Sequence, residues 1–73
     1  MSKLPVISGR ECVTALQRAG FRVRRQKGSH IVMQKDEPYQ VVAVPNHKTL
    51  KPGTLRGIIK DAGLTVEEFQ ALL

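Results

Sequence analysis

The sequence predicts a small α+β domain: one helix, a three-stranded antiparallel sheet, a second helix and a short C-terminal helix. Apolar residues recur at helical spacing near both ends of the chain, and three segments between them alternate apolar and polar residues, as half-buried strands do. The 73 residues suffice for one domain, which we place at residues 1–73. This α-β-β-β-α order favours a sheet with the helices on one face and solvent on the other.

The first helix is predicted over about residues 9–19. Ser8 and Glu11 have the spacing of a capping box, in which each side chain satisfies a free backbone N–H group of the other. An apolar stripe follows at helical spacing: Cys12, Ala15, Leu16 and Ala19. Gly20 is then suited to the left-handed conformation that ends many helices.

Three strands are predicted from alternation with a period of two, over residues 21–26, 29–35 and 39–44. Turn-forming or strand-ending residues bound them: Lys27-Gly28, Asp36-Glu37-Pro38 and Pro45. We therefore expect a three-stranded meander.

The second helix is marked by Pro52 at its opening, Gly63 beyond its end and an apolar stripe: Leu55, Ile58, Ile59 and Ala62. Thr65 and Glu68 form a second capping-box pattern, which starts the short terminal helix. The complete order matches that of double-stranded RNA-binding domains, although topology alone does not establish function.

Lysine and arginine number 12 against 6 acidic residues, a formal charge of +6. Five cations fall within ten positions without an acid among them: Arg18, Arg22, Arg24, Arg25 and Lys27. Such clustering favours a nucleic acid partner, because phosphate neutralisation requires it; the alternative is an ordinary basic protein.

A single cysteine, Cys12, cannot form a bridge within the chain, which favours an intracellular protein. We see neither a signal sequence nor a long apolar run, so we expect a cytoplasmic protein that does not enter membranes. Phosphate-binding glycine loops and zinc-ligand spacing are also missing, and no cofactor or metal is expected.

His30 and His47 are the side chains whose ordinary pKa lies near neutrality, as proton transfer requires. If Ile31 and Met33 face the core, His30 faces solvent. On that open face strict alternation also places residues of the first strand: Arg22, Arg24 and Gln26. A histidine among cations suits RNA cleavage without a metal, but spacing alone favours an ordinary solvated histidine.

For His47, in the loop after Pro45, a phosphate contact or a bond that orders the loop is as plausible as catalysis. Lys48 lies beside the start of the second helix, whose free N–H groups favour a bound anion, although this region is equally well a simple helix start. Gly28 is most simply a turn glycine, although it also allows a ligand to approach the backbone closely.

The chain resembles the HicA family of mRNA interferase toxins over nearly its whole length. The resemblance rests on three blocks that occur in the same order as in the family: SGRECVTALQRAGFRVRRQKGSHIVM, Val44-Pro45-Asn46-His47 and Gly53-Thr54-Leu55-Arg56. The first block contains a Gly20-Phe21 pair and the signature RQKGSH at residues 25–30.

The resemblance implies a double-stranded-RNA-binding-domain-like fold and an endoribonuclease that cleaves mRNA and so inhibits translation. It implies His30 as the catalytic residue and a cognate HicB-like antitoxin that covers the active site in a hetero-oligomer. His47 matches a second frequent histidine of the family. We assign RNA binding to residues around these positions: Arg22, Arg24, Arg25, Lys27, Gly28, Ser29, His47 and Lys48.

Two other functions stay open. The chain could be a non-catalytic module that binds duplex RNA through shape and phosphate charge. It could also be an interaction domain whose basic face fits an acidic protein, a role that a toxin held by its antitoxin would share.

Overall fold

A computed structural model describes residues 3–73; Met1 and Ser2, which belong to the predicted domain of residues 1–73, lie outside the described residues. The elements follow in the order α1 (Gly9–Arg18), β1 (Arg22–Lys27), β2 (His30–Asp36), β3 (Tyr39–Pro45), α2 (Pro52–Asp61) and α3 (Val66–Gln70). The predicted α-β-β-β-α order with its short terminal helix is confirmed, and the predicted ends of α1 and of the strands differ from the observed ones by one residue at most.

Both predicted capping boxes are present. The Ser8 hydroxyl accepts from the Glu11 N–H at 3.1 Å, and the Glu11 carboxylate accepts from the Ser8 N–H at 2.9 Å. Thr65 and Glu68 repeat the arrangement at 3.1 and 2.8 Å. Gly20 follows α1 with φ at 99°, a conformation that costs a glycine little. Side chains of the local sequence therefore define where α1 and α3 begin.

The three strands form one antiparallel sheet in the order β1-β2-β3. Alternate residues of β2 and β3 are buried beneath the helices: Ile31, Met33, Val42 and Val44. The helices cover them with their own apolar stripes, Cys12, Ala15 and Leu16 from α1 and Leu55, Ile58 and Ile59 from α2. The sheet therefore has a helix-covered face and an open face, as expected.

The C-terminal segment closes this core. Phe69 of α3 is fully buried, and the guanidinium of Arg18 donates to the Leu72 carbonyl oxygen at 2.6 Å. This contact joins the end of the chain to the end of α1. Within residues 3–73, no helix is long and apolar enough to cross a membrane.

A β-bulge at Arg24 makes the predicted facing of β1 wrong from Arg24 onwards, whereas Arg22 pairs with the outward Gln34 and lies on the open face as predicted. Val23 pairs with Met33, whereas Arg25 pairs with Val32, so the register shifts between them. Gln26 then pairs with the buried Ile31 and lies on the helix-covered side, not on the open face. Strict alternation would have directed Arg25 towards the apolar core; the extra residue turns it to solvent instead.

Candidate active site

His30 is the first residue of β2 and follows the two-residue turn Gly28-Ser29. The prediction placed this turn one residue earlier, at Lys27-Gly28. Gly28 has φ at 59°, in the region that favours glycine, and this lets the hairpin close tightly. Because Ile31 and Met33 are buried, His30 lies on the opposite, open face, where it is exposed. The predicted facing of β2 is thus confirmed.

Two cations of β1 lie close to His30 on this face. Lys27 is its direct partner across the hairpin, and Arg25 pairs with Val32, the next outward residue of β2. Side chains paired across antiparallel strands have Cβ atoms about 4.5–5.5 Å apart, so the Lys27 ammonium can reach an anion bound at His30. In the described part of the chain, no carboxylate pairs with Lys27 or Arg25.

Arg22 lies at the other end of the hairpin. It pairs with Gln34, four residues along β2 from His30, which corresponds to about 13 Å. Its guanidinium donates to both carboxylate oxygens of Asp36, at 2.7 and 3.4 Å, and the Gln34 amide donates to the same group at 2.8 Å. The hydrogen bonds from Arg22 and Gln34 lower the pKa of Asp36. The structure therefore does not bring Arg22 to His30.

The loop after β3 is tied to the turn beside His30. The Asn46 N–H donates to the Ser29 carbonyl oxygen at 2.6 Å, and His30 itself pairs with Pro45. His47 lies two residues beyond Pro45, so its Cα is no more than about 13 Å from that of His30. The side chains of His47 and Lys48 are exposed. The fold thus places both histidines at one end of the sheet.

Gly9, the first residue of α1, fixes this loop from the other side. Its N–H donates to the His47 carbonyl oxygen at 2.9 Å. A Cβ at Gly9 would overlap the Pro45 carbonyl oxygen and crowd Asn46, so a side chain here would push the loop away. The start of α1, the hairpin turn and the loop after β3 therefore meet at one place, which we call the turn end of the sheet.

The turn end joins an exposed imidazole to exposed cations and to backbone near a glycine. The imidazole can move a proton, and the cations can stabilise negative charge on a phosphate. Of the predicted binding residues, the structure gathers most here: Arg25, Lys27, Gly28, Ser29, His47 and Lys48. Arg24 occupies the bulge, and Arg22 belongs to the far end.

Cys12 takes no part in this surface. It is fully buried on the stripe of α1, and burial raises the pKa of its thiol to about 12. A thiol with this pKa is a poor nucleophile near neutrality, in agreement with the sequence analysis. Within residues 3–73, no three His, Cys, Asp or Glu side chains cluster as metal ligands would.

The sequence patterns gave no role to two residues of the turn end, Gly9 and Asn46, and they placed Gln26 on the wrong face of the sheet. Gly9 and Asn46 act through contacts with residues distant in the chain, which no local pattern encodes. For Gln26 a signal existed. Unbroken alternation from Phe21 and Val23 directs Arg25 into the core, and this conflict predicts a bulge in β1.

The family model of the HicA toxin of bacterial toxin-antitoxin systems matches residues 9–64, from the first residue of α1 to just before α3. No curated protein matches the chain. The matched range contains His30, the whole sheet and the loop after β3, and it spans well over half of the chain. The chain therefore belongs to the HicA family of toxins of bacterial toxin-antitoxin systems.

Proposed function

We propose that this toxin is an endoribonuclease that cleaves mRNA, with His30 as a general acid or base and without a metal cofactor. The observation that supports it most directly is the position of His30 on the open face, opposite Lys27, in a chain of the HicA family. Cleavage of mRNA would inhibit translation, and this substrate would place the protein in the cytoplasm.

The reaction that suits these groups is attack of the ribose 2′-oxygen on the adjacent phosphorus. The 2′-O–P bond forms and the P–O5′ bond breaks, a base takes the 2′-OH proton, and an acid protonates the departing 5′-oxygen. His30 can fill one of these roles, while Lys27 and Arg25 stabilise the added charge on the phosphate. The other role falls to His47, a lysine or water. One product then ends in a 2′,3′-cyclic phosphate.

RNA binding is proposed for the residues named from the sequence: Arg22, Arg24, Arg25, Lys27, Gly28, Ser29, His47 and Lys48. All of them are exposed, and the chain carries a formal charge of +6. Contacts between these cations and phosphates release counterions, so affinity should fall steeply with salt. Gly28 and Ser29 carry no charge; they would instead allow the RNA to approach the backbone closely.

The toxin family implies an antitoxin as the partner, and we propose a HicB-like protein that covers the turn end in a hetero-oligomer. The open face supports this because apolar groups lie beside its cations. Tyr39 and Val41 of β3 are exposed, and Val32 of β2 is half-buried. A partner that covers both these apolar groups and the cations would block access of RNA to His30.

The test is cleavage of a defined single-stranded RNA by the purified chain, with a chelator present, for wild type, His30→Ala and Gln17→Ala. His30→Ala should slow cleavage by about 10²- to 10⁴-fold, the usual value of a proton-transfer group. Because His30 is exposed, the variant should fold normally. Gln17, an exposed residue of α1, is the control. Cleavage by His30→Ala at the wild-type rate would contradict the catalytic assignment.

The α-β-β-β-α order also supports a second candidate, a non-catalytic module that binds duplex RNA by shape and charge. The same assay separates the two. Retention of duplex RNA on a gel with strong salt dependence, with no cut products from any RNA, would favour the module.

A further inference from the structure

A cleft lies between the first turns of α1 and the turn half of β1, on the helix-covered side of the sheet. Its volume is about 240 Å³. Val23 and Ile31 contribute apolar wall, and Arg10, Gln26 and Asn46 contribute polar groups. The cleft therefore combines apolar surface with amides and one cation.

The bulge at Arg24 determines which side chains of β1 face this cleft. It turns Gln26 to the helix-covered side and directs Arg25 and Lys27 to the open face. Without it, these two cations would face the cleft and the amide would lie among the open-face groups. Val23 remains 45% exposed although it pairs with the fully buried Met33. The core thus stops short of Val23 and leaves apolar surface for another group to cover.

The cleft is directly connected to the turn end. Gln26 pairs with Ile31, the residue after His30, and the Asn46 N–H donates to the carbonyl oxygen of Ser29, the residue before it. His30 lies on the open face of this hairpin end and the cleft on its other face. A flexible, extended polymer that passes over the edge of the sheet at β1 can contact both His30 and the cleft.

We infer that the cleft binds one base of a single-stranded RNA, next to the bond at His30, and so selects the cleavage sequence. This inference rests on the proposed function. Asparagine and glutamine amides each offer a donor and an acceptor, the groups that read base edges. Bases of single-stranded RNA can be splayed out against apolar or guanidinium surfaces, which Val23, Ile31 and Arg10 supply.

The size of the cleft limits its occupant. Pockets for drug-sized ligands typically measure about 300–1,000 Å³, and this cleft is smaller at about 240 Å³. It suits a single base rather than several nucleotides. Duplex RNA keeps its bases stacked and paired, so the substrate class is unpaired RNA with a preference at one position.

Sequencing of the ends cut from a randomised single-stranded RNA measures this preference. Wild type should favour one base over the others by about tenfold at one position beside the cut. In Gln26→Ala the preference at that position should fall to about twofold or less. Gln17→Ala, which removes an exposed glutamine of α1 outside the cleft, should keep the wild-type preference. An unchanged preference in Gln26→Ala would overturn the inference.

Binding of the four nucleoside 5′-monophosphates, followed by NMR on the labelled chain, tests the cleft without cleavage. The side-chain amide signals of Gln26 and Asn46 should shift with one nucleotide more than with the others, and Gln26→Ala should abolish the Asn46 shift. If wild type cuts no RNA but these signals shift, the proposed nuclease fails and the cleft stands. If RNA is cut and the signals do not move, the nuclease stands and the cleft fails.

Discussion

The two ends of the β1–β2 hairpin differ in whether their cations are paired with a carboxylate. At the far end Arg22 is bonded to Asp36, whose carboxylate also accepts from Gln34. At the turn end Lys27 stands opposite His30, and no carboxylate in the described part of the chain pairs with it. One strand therefore begins with a neutralised cation and ends, at its turn, with an open one.

The difference indicates which end is prepared for an anion. A guanidinium already bound by a carboxylate must exchange that partner before it can hold a phosphate, whereas an unpaired ammonium needs only to lose water. The turn end is also braced from outside the hairpin, because Gly9 and Asn46 bond to the loop after β3 and to Ser29. The far end is held by side chains of the hairpin itself.

Gly9→Ala tests the bracing of the turn end and should have the largest effect on stability. The new methyl group would overlap the Pro45 carbonyl oxygen, so the loop must move. We expect the free energy of unfolding to fall by about 1–3 kcal/mol, as for other overpacked sites, measured by urea unfolding.

The matched control is Gly57→Ala. Gly57 lies within α2, and a Cβ there would meet open space. Alanine should raise the free energy of unfolding by about 0.5–1 kcal/mol because it restricts the unfolded chain and favours the helix. Equal losses of stability in the two variants would show that Gly9 has no special contact with the loop.

Charge reversal at each end tests which cation contacts RNA. Lys27→Glu should weaken RNA binding by about tenfold or more at low salt, since it replaces a phosphate partner with a like charge. Arg22→Glu should weaken binding less, because Arg22 is already bonded to Asp36. Filter binding over a range of salt concentrations checks this, and equal losses at both ends would remove the distinction between them.

Asp36→Asn should have the smallest effect on the stability of the fold, and this effect should be seen only above acid pH. The hydrogen bonds from Arg22 and Gln34 lower the pKa of Asp36 below its ordinary value of 3.8. The charged carboxylate therefore stabilises the fold above that value, and this contribution is lost as the pH falls through the lower pKa of the folded state. Both side chains of the ion pair are more than half exposed, which keeps the contribution small.

Thermal unfolding of wild type and Asp36→Asn across an acid series measures this contribution. Wild type should be the more stable protein near neutrality, and the two curves should converge in acid. A constant difference at every pH would mean that the substitution disturbs packing rather than charge.

Local patterns predicted most of the fold. Ser8 and Thr65 marked helix starts through bonds to residues three positions away, and the apolar residues of β2 defined the open face that carries His30. The failure came in β1, where the facing of Gln26 depends on whether the core can accept Arg25, a question of tertiary packing. The bonds of Gly9 and Asn46 join segments far apart in the chain, and only the folded structure reveals them.

The bulge has one more consequence, for the edge of the sheet. Among residues 3–73, β1 pairs only with β2, so its other side offers backbone groups to a strand of another molecule. A β-bulge and a row of cations are two of the devices that discourage such pairing, and β1 has both in Arg24 and its basic neighbours. Two copies of this chain would therefore join poorly through β1, because the strand is locally kinked and its charges repel their counterparts.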